Sequence, residues 1–236
     1  MITQDEAKKL AGLKVIEQFI EKGMILGLGS GTTSHFFVRE LGLHVGNGLD
    51  VTCTTTSKST SEVAREVGIN VYDPNDLGKI DLTIDGPDEI DNEFNMIKGG
   101  GACLLWEKII AHSSKKNITI CDETKIVSSL GTFPLPVEIV QFGWKQTNRL
   151  VKNVISSNCS VHVETQLRTL DTSPVVTDSG NFILDCKCEK IMDPGKLEKE
   201  LNMIPGVVEN GLFTRESSVM VIGKFDGTVD VLFRET

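Results

Sequence analysis

Apolar residues recur at helical spacing through residues 4–19, with charged positions between them, and the pattern then changes abruptly. The stretch GMILGLGSGTTSHFFVRELG reads as a short buried strand, a glycine turn and a helix, which is one β-loop-α unit. DVTCTTTS, a polar helix around SEVAREVG, the segment INVYD and the strand IDLTID ending at Asp85 repeat the alternation expected of a parallel sheet. A helix from just after Gly101 to about Ser113 and the strand NITICD continue it.

The punctuation changes at GTFPLPVEIV, where two nearby prolines signal an extended connection and a boundary near Thr132. Beyond it, KQTNRLVKNVI has helical spacing and VVTDSGNFILDCKC reads as a hairpin turning at Asp178 to Asn181. PGKLEKELNMIPG is a helix framed by proline and glycine. In the tail, VMVIG suits a strand returning to the first sheet, and Asp226-Gly227 marks a hairpin turn. The expected organisation is an α/β main domain, residues 1–131 and 210–236, with a small α+β domain, residues 132–209, inserted before the last strands.

Composition narrows the function classes. Lys+Arg 24 against Asp+Glu 33 leaves a net charge of -9, which speaks against a broad basic surface for nucleic acid or an anionic membrane, while small anions remain open to local groups. Cys53, Cys103, Cys121, Cys159, Cys186 and Cys188 contain no C-x-x-C pair and read as reduced thiols. The first twenty residues lack an apolar signal core, and no run approaches the ~18 apolar residues of a membrane span. The expected compartment is the cytoplasm.

Three constellations could carry chemistry. The first is Gly27-Leu28-Gly29-Ser30-Gly31-Thr32-Thr33-Ser34 between strand and helix. Successive N–H groups, a helix N-terminus and hydroxyls suit a phosphate, although a plain tight turn would use the same residues. Thr32 stands where G-x-G-x-x-G needs its last glycine, and the Gly-Lys pair of a P-loop is missing. The second is Asp85-Gly86-Pro87-Asp88-Glu89, at the carboxyl end of a strand, where ligands gather in open parallel sheets. Its carboxylates could accept sugar hydroxyls or cap the turn, and the spacing fails the EF-hand template.

The third is Lys98-Gly99-Gly100-Gly101 leading into ACLLWEKIIAH. Three glycines lose much backbone entropy on folding, so their use points to a close approach or to outward N–H groups, with the lysine adding charge. On a helical wheel Glu107 falls among Cys103, Ala111 and Ile110, with no lysine or arginine at i+3 or i+4. A carboxylate so placed is expected to lose hydration and gain proton affinity, as a general base near neutral pH requires. Lys125 follows a strand end and could add charge to the same rim. His35, His44, His112 and His162 lack ligand spacing, and no nucleophile elbow is present.

With GLGSGTTS, IDGPDEID, MIKGGGACLLWEKII, CDETKIV and FPLPVEI in one order, the chain closely resembles ribose-5-phosphate isomerase of type A. The resemblance runs on through GWKQTNRLV, IPGVVENGLF and the last strands. It implies interconversion of D-ribose 5-phosphate and D-ribulose 5-phosphate in the pentose phosphate pathway without metal or organic cofactor. It also implies a Rossmann-like main domain, a ferredoxin-like lid and a homodimer or homotetramer. By position, Glu107 matches the proton acceptor; Ser30, Gly31, Thr32 and Thr33 match one substrate loop; Asp85, Gly86, Pro87 and Asp88 a second; Lys98, Gly99, Gly100 and Gly101 a third. Lys125 and Lys8 match further substrate-binding lysines. Lys98 and Asp85 join Glu107 in the expected chemistry, Lys98 at the enediolate and Asp85 at hydroxyls and ring opening. Pro87 stands where the family commonly has alanine, and Leu105-Trp106 where it has Thr-Arg.

Two rivals remain. A non-catalytic sugar-phosphate sensor would not need Glu107, and no DNA-binding module precedes the fold. A dinucleotide-binding oxidoreductase would use Asp50, ~20 residues beyond the glycine loop, but Asp50 precedes its strand and misses the ribose position.

Overall fold

Short runs, most of them apolar and too short for helices, assemble into a six-stranded sheet. Its order is Val229–Phe233, Val219–Gly223, Ser114–Asp122, Ile80–Asp85, Ile25–Leu28, Thr52–Thr55. Every neighbouring pair is parallel except the first, where the C-terminal hairpin adds an antiparallel edge. In the computed structural model residues 1–159 and 163–235 are described, so His162 lies outside them. The six strands belong to one compact unit made of Met1–Pro87, Trp106–Lys125 and Glu216–Thr236.

Helix Gln4–Phe19 starts at a capping box in which Thr3 and Glu6 satisfy each other's backbone N–H groups. It packs on helix Gly31–Gly46 so closely that a Cβ on Gly12 would lie 3.2 Å from the Cα of Phe37. Leu26, Leu28, Phe37, Leu41, Ile84 and Ile120 form the fully buried centre of this unit. The expected return of VMVIG to the first sheet is found as Val219–Gly223, parallel to Ser114–Asp122. INVYD differs from a strand of that sheet. Only Val71 bridges to Cys53, because Asp73 turns the chain into a 3-10 helix at Pro74–Asp76.

The second unit comprises Asp88–Leu105 and Ile126–Arg215. Strand Leu135–Ile139, helix Trp144–Ser156, strands Glu164–Leu167 and Phe182–Lys187, helix Pro194–Asn202 and strand Val207–Asn210 follow one another in a β-α-β-β-α-β run. All their sheet pairs are antiparallel and the spatial order is fourth, first, third, second, which is the ferredoxin-like arrangement. Val137, Ile139, Val151, Ile155, Leu184, Leu197 and Leu201 form its core.

FPLPVEI is therefore not the extended connection expected from its prolines but an interior strand. Pro136 is tolerated because its carbonyl, which accepts from the N–H of Gly211 at 2.8 Å, marks the edge where the neighbouring strand has already ended at Asn210. No ladder N–H is needed there. The hairpin turn at residues 178–181 forms as expected, with the Thr177 N–H on the Asn181 carbonyl at 2.9 Å. Its first arm contributes only a bridge from Val176 to Phe182, and Phe182–Lys187 takes its strand partners elsewhere.

The acidic segment supplies something its composition concealed. Glu89–Ile90 and Met96–Ile97 are strands of a small antiparallel sheet completed by Leu212–Phe213. The carboxylate of Glu89, 5% exposed, accepts from the N–H groups of Gly131 at 2.8 Å and Phe133 at 2.6 Å. These bonds carry residues 88–105 into the second unit, which thus spans more than residues 132–209.

Glu138, 1% exposed on the interior strand, gives a test of the buried charge. It accepts from Thr177 and Asn181 at 2.8 and 2.9 Å and lies opposite Glu209 on the next strand. Desolvation by burial pushes its carboxyl above the usual range, with Glu209 and Asp178 adding to the effect and its two hydrogen bonds opposing it. A raised folded-state value means that the folded form binds the proton more tightly. The resulting stabilisation is present at low pH and is lost as pH rises through that value. Glu138→Gln should therefore raise Tm at pH 7 to 8 relative to the wild type, and that gain should shrink on going to pH 4. A Tm difference independent of pH would contradict this account.

Candidate active site

The first site element is built where strand Ile25–Leu28 hands over to helix Gly31–Gly46. Asp85, at the end of the neighbouring strand, places one oxygen, Oδ1, at the centre of the turn. It accepts from the N–H of Ser30 at 3.0 Å, the N–H of Gly86 at 2.8 Å and the hydroxyl of Ser34 at 3.1 Å. A Cβ on Gly29 would sit 2.2 Å from that oxygen and 2.6 Å from the Cα of Asp85, so only glycine permits the approach. Gly31 has φ +83, in the region that favours glycine, and turns the chain into the helix. The first-turn N–H groups of any helix lack intrahelical acceptors, so this end offers donors and the positive end of a dipole to an anion.

A second layer of hydroxyls supports the loop. The Ser30 hydroxyl pairs with that of Thr56 at 2.6 Å, and Thr60 donates to the carbonyl of Gly29 at 3.0 Å. Thr56 and Thr60 are fully buried and stand around the N-terminus of helix Lys58–Glu66, which Ser57 caps. Gly31 and Thr32 are exposed, while Ser30 and Thr33 are largely buried. Sequence reasoning missed Thr56 and Thr60, and placed Ser34 in the loop without its bond to Asp85. The run TCTTTSKST at a predicted strand end was the available signal.

Lys8 and Lys125 flank another network of the same unit. Asp122, fully buried, accepts from the N–H and hydroxyl of Thr124 and from Gln4 at 3.1 Å. It thereby fixes the 3-10 turn Glu123–Lys125 against the start of helix Gln4–Phe19, one turn before Lys8. Lys8 is 7% exposed with its ammonium 3.5 Å from Asp5, and Lys125 is half-buried.

Glu107 sits in the first turn of helix Leu104–His112 and is 5% exposed. The direction of that helix follows from its ends. Its last residue, His112, nearly abuts Ser114, which begins a strand and pairs with Ile80, the first residue of its neighbour. The helix thus runs antiparallel to the sheet, and its N-terminus lies toward the carboxyl ends of the strands, where Gly29 to Thr33 and Asp85 are. Ile110 packs over Gly27, where a Cβ would be 2.7 Å from its Cγ2. Glu107, three residues earlier, is one turn closer to that edge. On the same helix Ile109 is 50% exposed, and Lys108, next to Glu107 in sequence, is buried. Asp50 lies before strand Thr52–Thr55, at the opposite edge, which leaves the dinucleotide reading without its ribose contact.

The remaining residues belong to the second unit. Asp88 accepts from the N–H of Gly100 at 2.7 Å. Lys98, 4% exposed, donates its N–H to the Gly211 carbonyl at 2.8 Å and holds its ammonium 5.6 Å from the ring centre of Phe213. Gly99 has φ +104, and a Cβ there would lie 2.8 Å from Leu104. Gly101 follows, and the N–H of Ala102 returns to the Gly99 carbonyl at 3.0 Å, closing the turn. The structure thus gathers Ser30 to Thr33 with Asp85 and Gly86 in one unit, and Asp88 with Lys98 to Gly101 in the other; Pro87 is buried at the junction in sequence. Among the described residues, no group of three or more His, Cys, Asp and Glu side chains could hold a metal ion, and no helix is long and apolar enough to cross a membrane.

Residues 52–227 match the family model of ribose 5-phosphate isomerase A, also called phosphoriboisomerase A. Ribose-5-phosphate isomerase A 2 of Yersinia pseudotuberculosis is 66% identical over 232 residues, covering 98% of each chain. Ribose 5-phosphate isomerase from Plasmodium falciparum superposes with a TM-score of 0.91 at 33% identity, over 98% of this chain and 100% of that one. A D-ribose-5-phosphate isomerase solved in complex with phospho-erythronic acid gives 0.90 at 36% identity, over 99% and 100%.

The contact between Gly29 and Asp85 generates a direct test of the anion cradle. Gly29→Ala should force the loop away from Oδ1 of Asp85 and weaken the binding of inorganic phosphate about tenfold, the scale of one lost hydrogen bond to a charged group. Titration calorimetry would read this, and unaltered phosphate binding by the folded variant would remove the loop from the anion site.

Proposed function

The chain belongs to the ribose 5-phosphate isomerase A family, whose members interconvert ribose 5-phosphate and ribulose 5-phosphate in the pentose phosphate pathway, and from this we propose that Glu107 is the base that moves the proton. The observation that carries the proposal is a carboxylate 5% exposed in the first helical turn, at the carboxyl edge of the sheet that also bears the anion loop. Partial withdrawal from water strengthens such a group as a proton acceptor.

The chemistry needs three things: a base, a place for developing charge, and a grip on the rest of the substrate. Glu107 removes the hydrogen from C2 of the acyclic, aldehyde form of ribose 5-phosphate. The electrons of that bond form C1=C2, and negative charge passes to O1. Lys98 and the N–H groups of Gly99 and Gly101 receive the oxygens of the resulting cis-enediolate. Gly100 is left out of that set, because its N–H is engaged by Asp88. Glu107 returns the proton to C1, the O2 proton moves to O1, and the carbonyl re-forms at C2 as D-ribulose 5-phosphate.

Ser30, Gly31, Thr32 and Thr33 hold the phosphate at the helix N-terminus. Asp85 and Asp88 serve the sugar hydroxyls and ring opening, alongside Gly86 and Pro87. Lys8 and Lys125 add positive charge toward the phosphate. The relative bound to phospho-erythronic acid supports this arrangement. A sugar-acid phosphate presents a planar pair of oxygens as an enediolate does. The same reading makes the protein a cytoplasmic homodimer or homotetramer, independent of metal and organic cofactor. Its support is the family.

Glu107→Gln should lower kcat by about 100-fold or more, the typical worth of a general base, with KM nearly unchanged. Ribulose 5-phosphate formation in the presence of EDTA would measure it, and near-wild-type kcat would exclude Glu107. EDTA itself should have no effect. Lys98→Ala should reduce kcat as well as affinity, since its charge matters most for a transient anion; a change in KM alone would reduce it to a binding group.

A further inference from the structure

The glycine turn has a holder that no expectation from the sequence named. Arg168 follows strand Glu164–Leu167 and is largely buried, at 15% side-chain exposure. Its Nε donates to Oδ2 of Asp185 at 2.9 Å and its Nη2 to Oδ1 at 2.5 Å, a two-pronged pair that fixes the plane of the guanidinium. The remaining nitrogen, Nη1, donates to the carbonyls of Gly99 at 2.8 Å and Gly100 at 3.0 Å. Asp185 itself stands on strand Phe182–Lys187, paired on both sides within the four-stranded sheet. The connection from sheet to glycine turn is therefore continuous.

We propose that Arg168, oriented by Asp185, is a positioning residue for the isomerisation: by gripping two carbonyls of the glycine turn it aims the amides on the other side of the same peptide planes. In a trans peptide the C=O of one residue and the N–H of the next point in opposite directions. Holding the Gly99 carbonyl turns the Gly100 N–H away from Arg168, and it is found on Asp88 at 2.7 Å. Holding the Gly100 carbonyl turns the Gly101 N–H the same way. A run of three glycines has little intrinsic preference for one such arrangement, so an external clamp decides it. Lysine cannot substitute, because a single ammonium lacks the fork that meets a carboxylate and two carbonyls together.

This inference rests on the reading that Lys98 to Gly101 receive the enediolate, and the test separates the two. Arg168→Ala, Arg168→Lys, Asp185→Asn and Lys98→Ala would be compared with the wild type for kcat, KM and Tm, using ribose 5-phosphate. Misaimed donors should lower kcat of Arg168→Ala by about 100-fold with KM within about threefold, the scale associated with small misplacements of reacting groups. Arg168→Lys should remain impaired and Asp185→Asn should show a smaller loss in the same direction. Millimolar guanidinium chloride, far below denaturing levels, should restore part of the kcat of Arg168→Ala, and methylammonium should not. A merely structural arginine would lower Tm without this kcat-specific loss or its rescue, and that result overturns the proposal. Should Arg168→Ala fail to fold, wild-type kcat in folded Arg168→Lys and Asp185→Asn overturns it equally. If Lys98→Ala keeps its kcat, the reading of the glycine turn has failed; if Lys98→Ala loses kcat while the Arg168 variants do not, the clamp alone has failed.

Discussion

Carboxylates withdrawn from water set the terms of this structure. A carboxylate withdrawn from water is tolerated where donors surround it, and here several buried or half-buried carboxylates double as the anchors of loops. Oδ1 of Asp85 gathers residues 30, 34 and 86. Asp122 holds the turn that bears Lys125, Glu89 ties the acidic segment to residues 131 and 133, and Asp88 takes the N–H of Gly100. Asp185 orients the arginine that grips the glycine turn. Remove these acceptors and the segments richest in glycine would have nothing to choose one conformation over another.

The glycines and the carboxylates are thus two halves of one device. Gly29 and Gly100 lack a Cβ where Asp85 and Asp88 come within 2.2 and 2.6 Å of the place it would occupy. The close approach allows short backbone hydrogen bonds, and those bonds orient the neighbouring amides. In the proposed reading, the helix N-terminus at Gly31 meets the anion and the amides beside Lys98 meet the developing oxyanion. Glu107, 5% exposed, is the buried carboxylate to which the proposed chemistry gives the base's role.

Much of this was legible in the sequence, for identifiable reasons. The alternation of apolar runs with glycine turns and helical periodicity specified the parallel sheet, and VMVIG was apolar enough to announce a strand within it. The segments GLGSGTTS and KGGG stood out as glycine-rich turns, and the motif order pointed to the family. What stayed hidden depended on distance along the chain. Nothing in ETQLRTL marks Arg168, whose partners lie at residues 99, 100 and 185. Thr56 and Thr60 matter only because the fold sets them beside Gly29 and Ser30. The prolines of FPLPVEI obscured an interior strand, since the tolerance of Pro136 depends on where the neighbouring strand ends. The acidic segment hid two short strands behind its charge.

At the centre of the account is a single protein carboxyl group that takes a hydrogen from one substrate carbon and gives a proton to the next. The most direct measurement is turnover of ribose 5-phosphate in deuterium oxide, with the ribulose 5-phosphate product examined by NMR for deuterium at C1. The account predicts solvent deuterium at C1 in the wild-type product, because a carboxyl proton exchanges while the enediolate is held, and loss of that incorporation in Glu107→Gln. Incorporation at the wild-type rate in the glutamine variant would contradict it.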